Sequence, residues 1–271
     1  MGCLLKLIFY PIIIFVAVFI RLGKFIIKSI KDYDYDYEHY TKKYKDIKRF
    51  YTPYEEYCNA YTKNKAKTYP KNYVVFDTET TGLEPSYDYI IEISAIKVID
   101  GKIVDTFSEL INPQMYVDKF ITDLTGINNK MLEDKPTIDK VIPRFFNFIE
   151  DYTLIGHNVP YDIKMLASEC YRNNIELCEN KLINTVTIAK KIIPKGTVKN
   201  YKLSTLKDFF GIELSSHRGL VDCLTCNYVY MVYLEFSKII SLHKRVIKID
   251  DEVVIVNDET GEVHDLNIEK P

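Results

Sequence analysis

The chain has 271 residues, 47% apolar and 27% charged, a composition that excludes a disordered or fibrous protein and leaves room for one sizeable core. The net charge of -2 is unevenly spread: residues 1–71 carry 14 Lys+Arg against 7 Asp+Glu, and residues 72–271 carry 22 against 31. An acidic body of this kind repels a polyanionic partner unless its carboxylates are neutralised, for instance by divalent cations.

In chain order, the first element is an apolar run. Leu7 to Ile20 holds no charge, and extending it back through Lys6 to Leu4 gives 17 residues, the lower end of the ~17–25 that cross a bilayer. A cleaved signal peptide lacks its small residues at the cleavage site, and an interfacial or buried helix is the other alternative, favoured by Pro11. Arg21, Lys24, Lys28 and Lys31 follow the run, so the positive-inside rule turns the body toward the cytoplasm. The expectation is a membrane contact through residues 4–20 with the remainder facing the cytoplasm; a soluble cytoplasmic protein is the alternative. Residues 1–31 then form an anchor and residues 32–71 a polar, Tyr- and Lys-rich linker. The six cysteines are scattered, as in a reducing compartment. Cys223 and Cys226 form a lone C-x-x-C without the second pair zinc requires, and read as small residues one helical turn apart.

From Asn72 the pattern becomes α/β. Tyr73–Glu79 reads as a strand, central because its apolar start is unbroken. "YIIEISAIKVIDGKIVDTFSELI" reads as a hairpin about Asp100-Gly101. "PTIDKVIPRFFNFIED" has helical spacing, with Thr137 at the N-cap. "YTLIGHN" is a short buried strand, and "VPYDIKMLASECYRNN" a helix with Asn158 as N-cap and Pro160 in its first turn. "KLINTVTIAKKI" passes from strand to helix. "LSTLKDFFG" is a helix with Ser204 as cap and Gly211 as stop, and the stretch from Gly219 is the longest helix. Residues 241–271 read as a β extension with a turn at Glu259–Gly261. The domain at 72–240 is thus α/β: a mixed five-stranded sheet with a meander at one edge, flanked by helices, preceded by the N-terminal hydrophobic helix.

Within this pattern "VVFDTETTGL" places Asp77 and Glu79 on one face of a strand end, where two like charges are costly unless a cation lies between them. Gly82 lets the turn that follows pass close to another group. "GHNVPYD" puts Asp162 in the first turn of a helix, and "HRGLVD" puts His217 five residues before Asp222. Each alone has an ordinary explanation: solvated acids at a strand end, a carboxylate at a helix N-terminus, a surface histidine.

In this order and spacing the three motifs resemble the DEDDh 3′–5′ exonucleases, over about residues 72–240. "ITDLTGIN" resembles the family's loop that holds the terminal nucleotide. Tyr161 stands where Phe is common and Gly219 where Ala is common. The resemblance implies a ribonuclease-H-like fold. It assigns Asp77, Glu79, Asp162 and Asp222 to two divalent cations, Mg²⁺ or Mn²⁺, and His217 to deprotonation of the attacking water. Thr80 and Leu83 match positions beside the terminal nucleotide, as do Thr125 and Gly126 through the shorter loop match. The implied partner is the 3′ end of single-stranded nucleic acid, DNA ahead of RNA, with a polymerase or repair complex in trans. The alternatives are an exoribonuclease and a non-catalytic binding module. The basic run Lys190–Lys202 either holds the phosphates of the incoming strand or is a solvated loop.

Overall fold

In the computed structural model, which describes residues 61–213, 218–239, 243–249, 252–266 and 268–271, the opening acid motif ends a central strand, β1 (Tyr73–Thr80). Tyr73, Val74, Val75 and Phe76 are all fully buried, so both faces of the strand are covered, as its unbroken apolar start requires. β2 (Ile90–Ile99) pairs antiparallel on one side of β1, and β4 (Thr153–Gly156) pairs parallel on the other. β3 (Lys102–Leu110) and β5 (Leu182–Asn184) complete the order β3-β2-β1-β4-β5. The β2–β3 turn falls at Asp100-Gly101, with φ of 49° and 79°. Two successive positive φ values match the twist of a tight hairpin.

The helices are α1 (Lys119–Thr125), α2 (Asn129–Leu132), α3 (Ile138–Ile149), α4 (Pro160–Asn173), α5 (Thr185–Ile192), α6 (Leu203–Phe210) and α7 (Gly219–Lys238). The two-residue period of β1 divides them. Tyr73 and Val75 point into one core with Val229, Tyr230 and Val232 of α7, and Val74 and Phe76 into a second with Phe145 of α3 and Leu166 of α4. Each such large apolar side chain contributes about 1.5–3 kcal/mol by leaving water. Polar ties fix the position of α7. The Tyr73 hydroxyl donates to Asn227 Oδ1 at 2.8 Å, and the Tyr73 and Tyr230 rings meet edge to face at 4.7 Å.

Some expected boundaries move. α6 starts after Lys202, so Ser204 lies inside its first turn and caps nothing. Thr137 does precede α3, but its hydroxyl bonds the Asp139 carboxylate instead of the helix backbone. Residues 61–70, expected as the end of a linker, pack on the domain. Lys65 bridges to Leu182 of β5, Tyr61 and Ala66 contact the two cores, and Tyr69 lies against Tyr233 at 4.5 Å. Beyond α7, β6 (Lys244–Ile249), β7 (Glu252–Asn257) and β8 (Val263–Asp265) form a separate antiparallel sheet whose Val246 and Ile255 join the α7 core.

Cys223 and Cys226 are buried within α7. The Cys223 thiol donates to the Ser94 carbonyl at 3.4 Å, and burial pushes both thiols up from their ordinary range, so they serve as packing groups. Among the described residues no helix is long and apolar enough to cross a membrane. The expected membrane segment, residues 4–20, lies outside the described residues.

Candidate active site

Asp77 and Glu79 continue the face of β1 that begins with Tyr73 and Val75, at the point where α7 comes down onto the sheet. Asp222 lies in the first turn of α7. One carboxylate oxygen each from Asp77, Glu79 and Asp222 falls within 4.8 Å of the others, and all three residues are half-buried. The close approach depends on Gly219. A Cβ built there stands 2.6 Å from Ser94 Oγ and 2.7 Å from Ser94 Cβ. Ser94 is the β2 partner of Asp77 in the register, so a glycine at the head of α7 answers a serine on the strand below it. The Gly219 departure noted in the sequence is thereby a packing match.

Asp162 arrives from the other face of the sheet. It is 3% exposed and accepts hydrogen bonds from the Thr78 amide at 3.1 Å and the Thr78 hydroxyl at 2.8 Å. The sequence expectation that Asn158 caps its helix is not met. α4 begins after Val159, and Asn158 instead adopts φ of 66° and donates its amide to Asn184 Oδ1 at 3.1 Å. The chain must reverse sharply after β4, and asparagine tolerates the left-handed conformation that the turn needs. His157 secures the same loop. Its Nε2 lies 2.9 Å from the Tyr201 carbonyl and its Nδ1 2.9 Å from the Thr185 hydroxyl. A carbonyl only accepts, so Nε2 carries the proton. Burial pushes the imidazole down to about 4, which keeps it neutral.

The acids raise one another's proton affinity. Burial, then the charges of Asp162, Glu79, Asp222 and Glu92, push Asp77 well above the usual carboxylate range. Burial, then Asp222, Glu92 and Asp162, lift Glu79 to about 8, with Arg218 opposing. Burial lifts Asp162 to about 7, against the two hydrogen bonds from Thr78. Hard oxygen donors concentrated in a poorly solvated site suit a divalent cation of the Mg²⁺, Mn²⁺ or Ca²⁺ class, and the arrangement offers no nitrogen or sulfur ligand among the described residues. His217, two residues ahead of α7, lies outside the described residues.

The turn after β1 is rigidly held. The Thr80 and Tyr161 hydroxyls lie 2.8 Å apart, and each donates to the Gly82 carbonyl at 2.7 Å. The hydroxyl that distinguishes Tyr161 from phenylalanine therefore ties α4 to the turn. Arg172 holds its far end through the carbonyls of Pro85 at 3.0 Å and Asp88 at 2.9 Å. Leu83 projects from this pinned turn, 68% exposed. Thr125, by contrast, is buried. Its hydroxyl donates to the Ile121 carbonyl at 2.8 Å and accepts from the Ile127 amide at 3.1 Å, while Gly126 ends α1 with φ of 73°. The Thr125 side chain thus builds its loop, and Phe120 and Leu124 are the exposed apolar groups of α1. Lys190, Lys195, Lys199 and Lys202 of the basic run surround one open groove of about 760 Å³, which begins at His157 and Asn158 on the loop leading to Asp162.

Residues 74–230, more than half of the chain, match the model of the Exonuclease (RNase_T) family. The chain belongs to this exonuclease family. Its sequence relatives include the PolC-type DNA polymerases III of Caldanaerobacter subterraneus subsp. tengcongensis, 38% identical over 60% of this chain, and of Bacillus cereus, 36% identical over 61%. The matched segment is only 12% and 11% of those polymerases. In solved structures the exonuclease fold is shared with the nuclease domain of 3′hExo, a DEDDh family member bound to rAMP (TM-score 0.54, 19% identity, 64% of this chain and 95% of that one). It is shared too with an E. coli exonuclease I–single-stranded DNA complex (TM-score 0.52, 19% identity, 62% of this chain and 41% of that one). Glu92, a fifth acid of this exonuclease's site, carries no sequence signal: it sits mid-strand in an apolar run, and only the register brings it opposite Glu79.

Proposed function

We propose that the exonuclease removes nucleotides from the 3′ ends of single-stranded DNA. The observation that carries this reading is the convergence of Asp77, Glu79 and Asp222 within 4.8 Å, with Asp162 packed against the same strand tip. These four acids would hold two divalent cations, Mg²⁺ or Mn²⁺. Such ions, when bound, stabilise charge on the attacking and leaving oxygens of a phosphodiester. Asp77, flanked by acids on both faces of the sheet, is the group placed to serve both positions. His217, assigned from the motif, takes the proton of the attacking water; an unperturbed imidazole, near 6.5, suits that task at neutral pH. Leu83, held out from the pinned turn, is placed to press against the terminal base, with Thr80 and Gly126 shaping the loops on either side.

The groove bordered by Lys190, Lys195, Lys199 and Lys202 starts at the loop that leads to Asp162, and we assign it to the phosphates upstream of the scissile bond. DNA is favoured over RNA by the likeness to PolC-type DNA polymerases, and the same likeness supports a polymerase or repair partner in trans. The test is a digestion of 5′-labelled single-stranded DNA and RNA of one sequence with Mg²⁺, Mn²⁺ or EDTA. The expected result is a metal-dependent ladder shortening from the 3′ end, faster on DNA. A faster RNA ladder reverses the substrate assignment, and cleavage that survives EDTA overturns the metal reading. In the same assay His217→Ala slows cleavage by at least ~100-fold, the scale of a general base.

A further inference from the structure

The fifth acid gives the site a role that the motif set leaves out. Glu92 pairs with Glu79 across β1 and β2, so both side chains stand on the face covered by α7. It is 2% exposed. Its Oε1 accepts from the Ser108 hydroxyl at 3.2 Å, whereas Oε2 is buried and has no hydrogen-bond partner. That bare oxygen lies 3.6 Å from where a Cβ would stand on Gly219. Gly219 and Asp222 are three residues apart on one helix face. The oxygen is therefore beneath the turn of α7 that carries Asp222 and beside the strand position that carries Glu79. A polar oxygen stripped of water at that depth is costly unless a donor or a cation reaches it. Among the described residues, no other carboxylate against this face combines such burial with an unsatisfied oxygen.

We propose that Glu92 is a positioning residue of the cation centre, the outer acceptor that orients the coordination sphere of the ion held by Asp77, Glu79 and Asp222. The proposal rests on reading those three as cation ligands. The competing duty is structural: a carboxylate beneath α7 also faces the positive end of that helix. The two roles predict opposite responses to Glu92→Gln, which keeps the side chain's shape and its contact with Ser108. As a positioning residue, its loss weakens the ion by about 10–100-fold, the range for outer-shell partners of metal sites. The metal-free protein meanwhile gains thermal stability, because a repulsive charge is gone. A purely structural carboxylate leaves ion affinity unchanged and lowers the metal-free melting temperature.

The experiment is calorimetric titration of the EDTA-stripped full-length chain with Mn²⁺ alone, alongside melting curves without metal. It compares wild type, Glu92→Gln, Glu92→Asp and Asp77→Asn. The expected order of Mn²⁺ affinity is wild type, then Glu92→Asp, then Glu92→Gln, with Asp77→Asn weakest. A Glu92→Gln affinity within twofold of wild type, with Asp77→Asn impaired, overturns the role of Glu92 alone. Unimpaired Mn²⁺ binding by Asp77→Asn removes the ligand reading beneath it.

Discussion

The tip of β1 and the lysine groove beside it are built from opposite charges in opposite ways. At the tip, like charges from β1, β2, α4 and α7 are packed into a poorly solvated space, and three of them are driven far from their ordinary titration range. In the groove, four lysines from one short stretch of chain surround an open space, and water and salt weaken their mutual repulsion. Burial therefore makes each charge at the tip individually decisive, whereas the groove acts by sum. Substitutions that separate these two regimes range from very large effects to small ones.

The largest effect is expected for Asp77→Asn. Loss of a ligand worth several kcal/mol of transition-state stabilisation slows hydrolysis by roughly 10³-fold or more. The circular dichroism spectrum stays native. Turnover within tenfold of wild type would remove Asp77 from the ligand set.

Next is the pH dependence of the metal-free protein. Glu79 and Asp162 ordinarily titrate at 4.5 and 3.8 but hold their protons to about 8 and 7 in the folded chain. The folded state thus binds more protons across that window. Its extra stability is complete below about pH 4 and is lost as the pH rises through 7 to 8. The melting temperature in EDTA should fall between pH 5 and 8, and saturating Mn²⁺ should flatten the fall, since it binds the deprotonated site. A metal-free melting temperature that rises over this range contradicts the electrostatic picture of the tip.

Smaller is the cost of Gly219→Ala, about 1–3 kcal/mol for a methyl forced against Ser94. The Ser94→Gly background should restore most of it, and additive costs in that double-mutant cycle would show that the two residues do not share the space. Smallest at any one site are the groove lysines. Lys195→Gln with Lys199→Gln should lower the salt dependence of single-strand binding by about 1.4 in log–log slope, at ~0.7 per phosphate released. An unchanged slope would place the strand elsewhere.

Features with a local signal are legible in the sequence. An unbroken apolar run foretold the central strand, Asp100-Gly101 its neighbouring hairpin, and the two-residue spacing of Asp77 and Glu79 their common face. Features that depend on what lies across space are not legible there. Asn158 has the chemistry of a cap, but the reversal after β4 takes it for a positive φ. The Tyr161 hydroxyl gains meaning only once α4 lies over the Gly82 carbonyl, and Glu92 only once the register sets it opposite Glu79. Thr125 fits a motif match, but the loop spends its hydroxyl on its own backbone.

The segment before the exonuclease motifs has a consequence for handling the protein. β5 is only three residues long and forms one border of the main sheet. Its Leu182 amide donates to the Asn64 carbonyl at 2.8 Å, and its carbonyl accepts from the Ala66 amide at 3.0 Å. Trimming the protein to the first catalytic strand strips off this cover and bares main-chain groups that another copy can satisfy. A shortened enzyme should therefore begin upstream of Tyr61, or it will tend to associate with itself through that border.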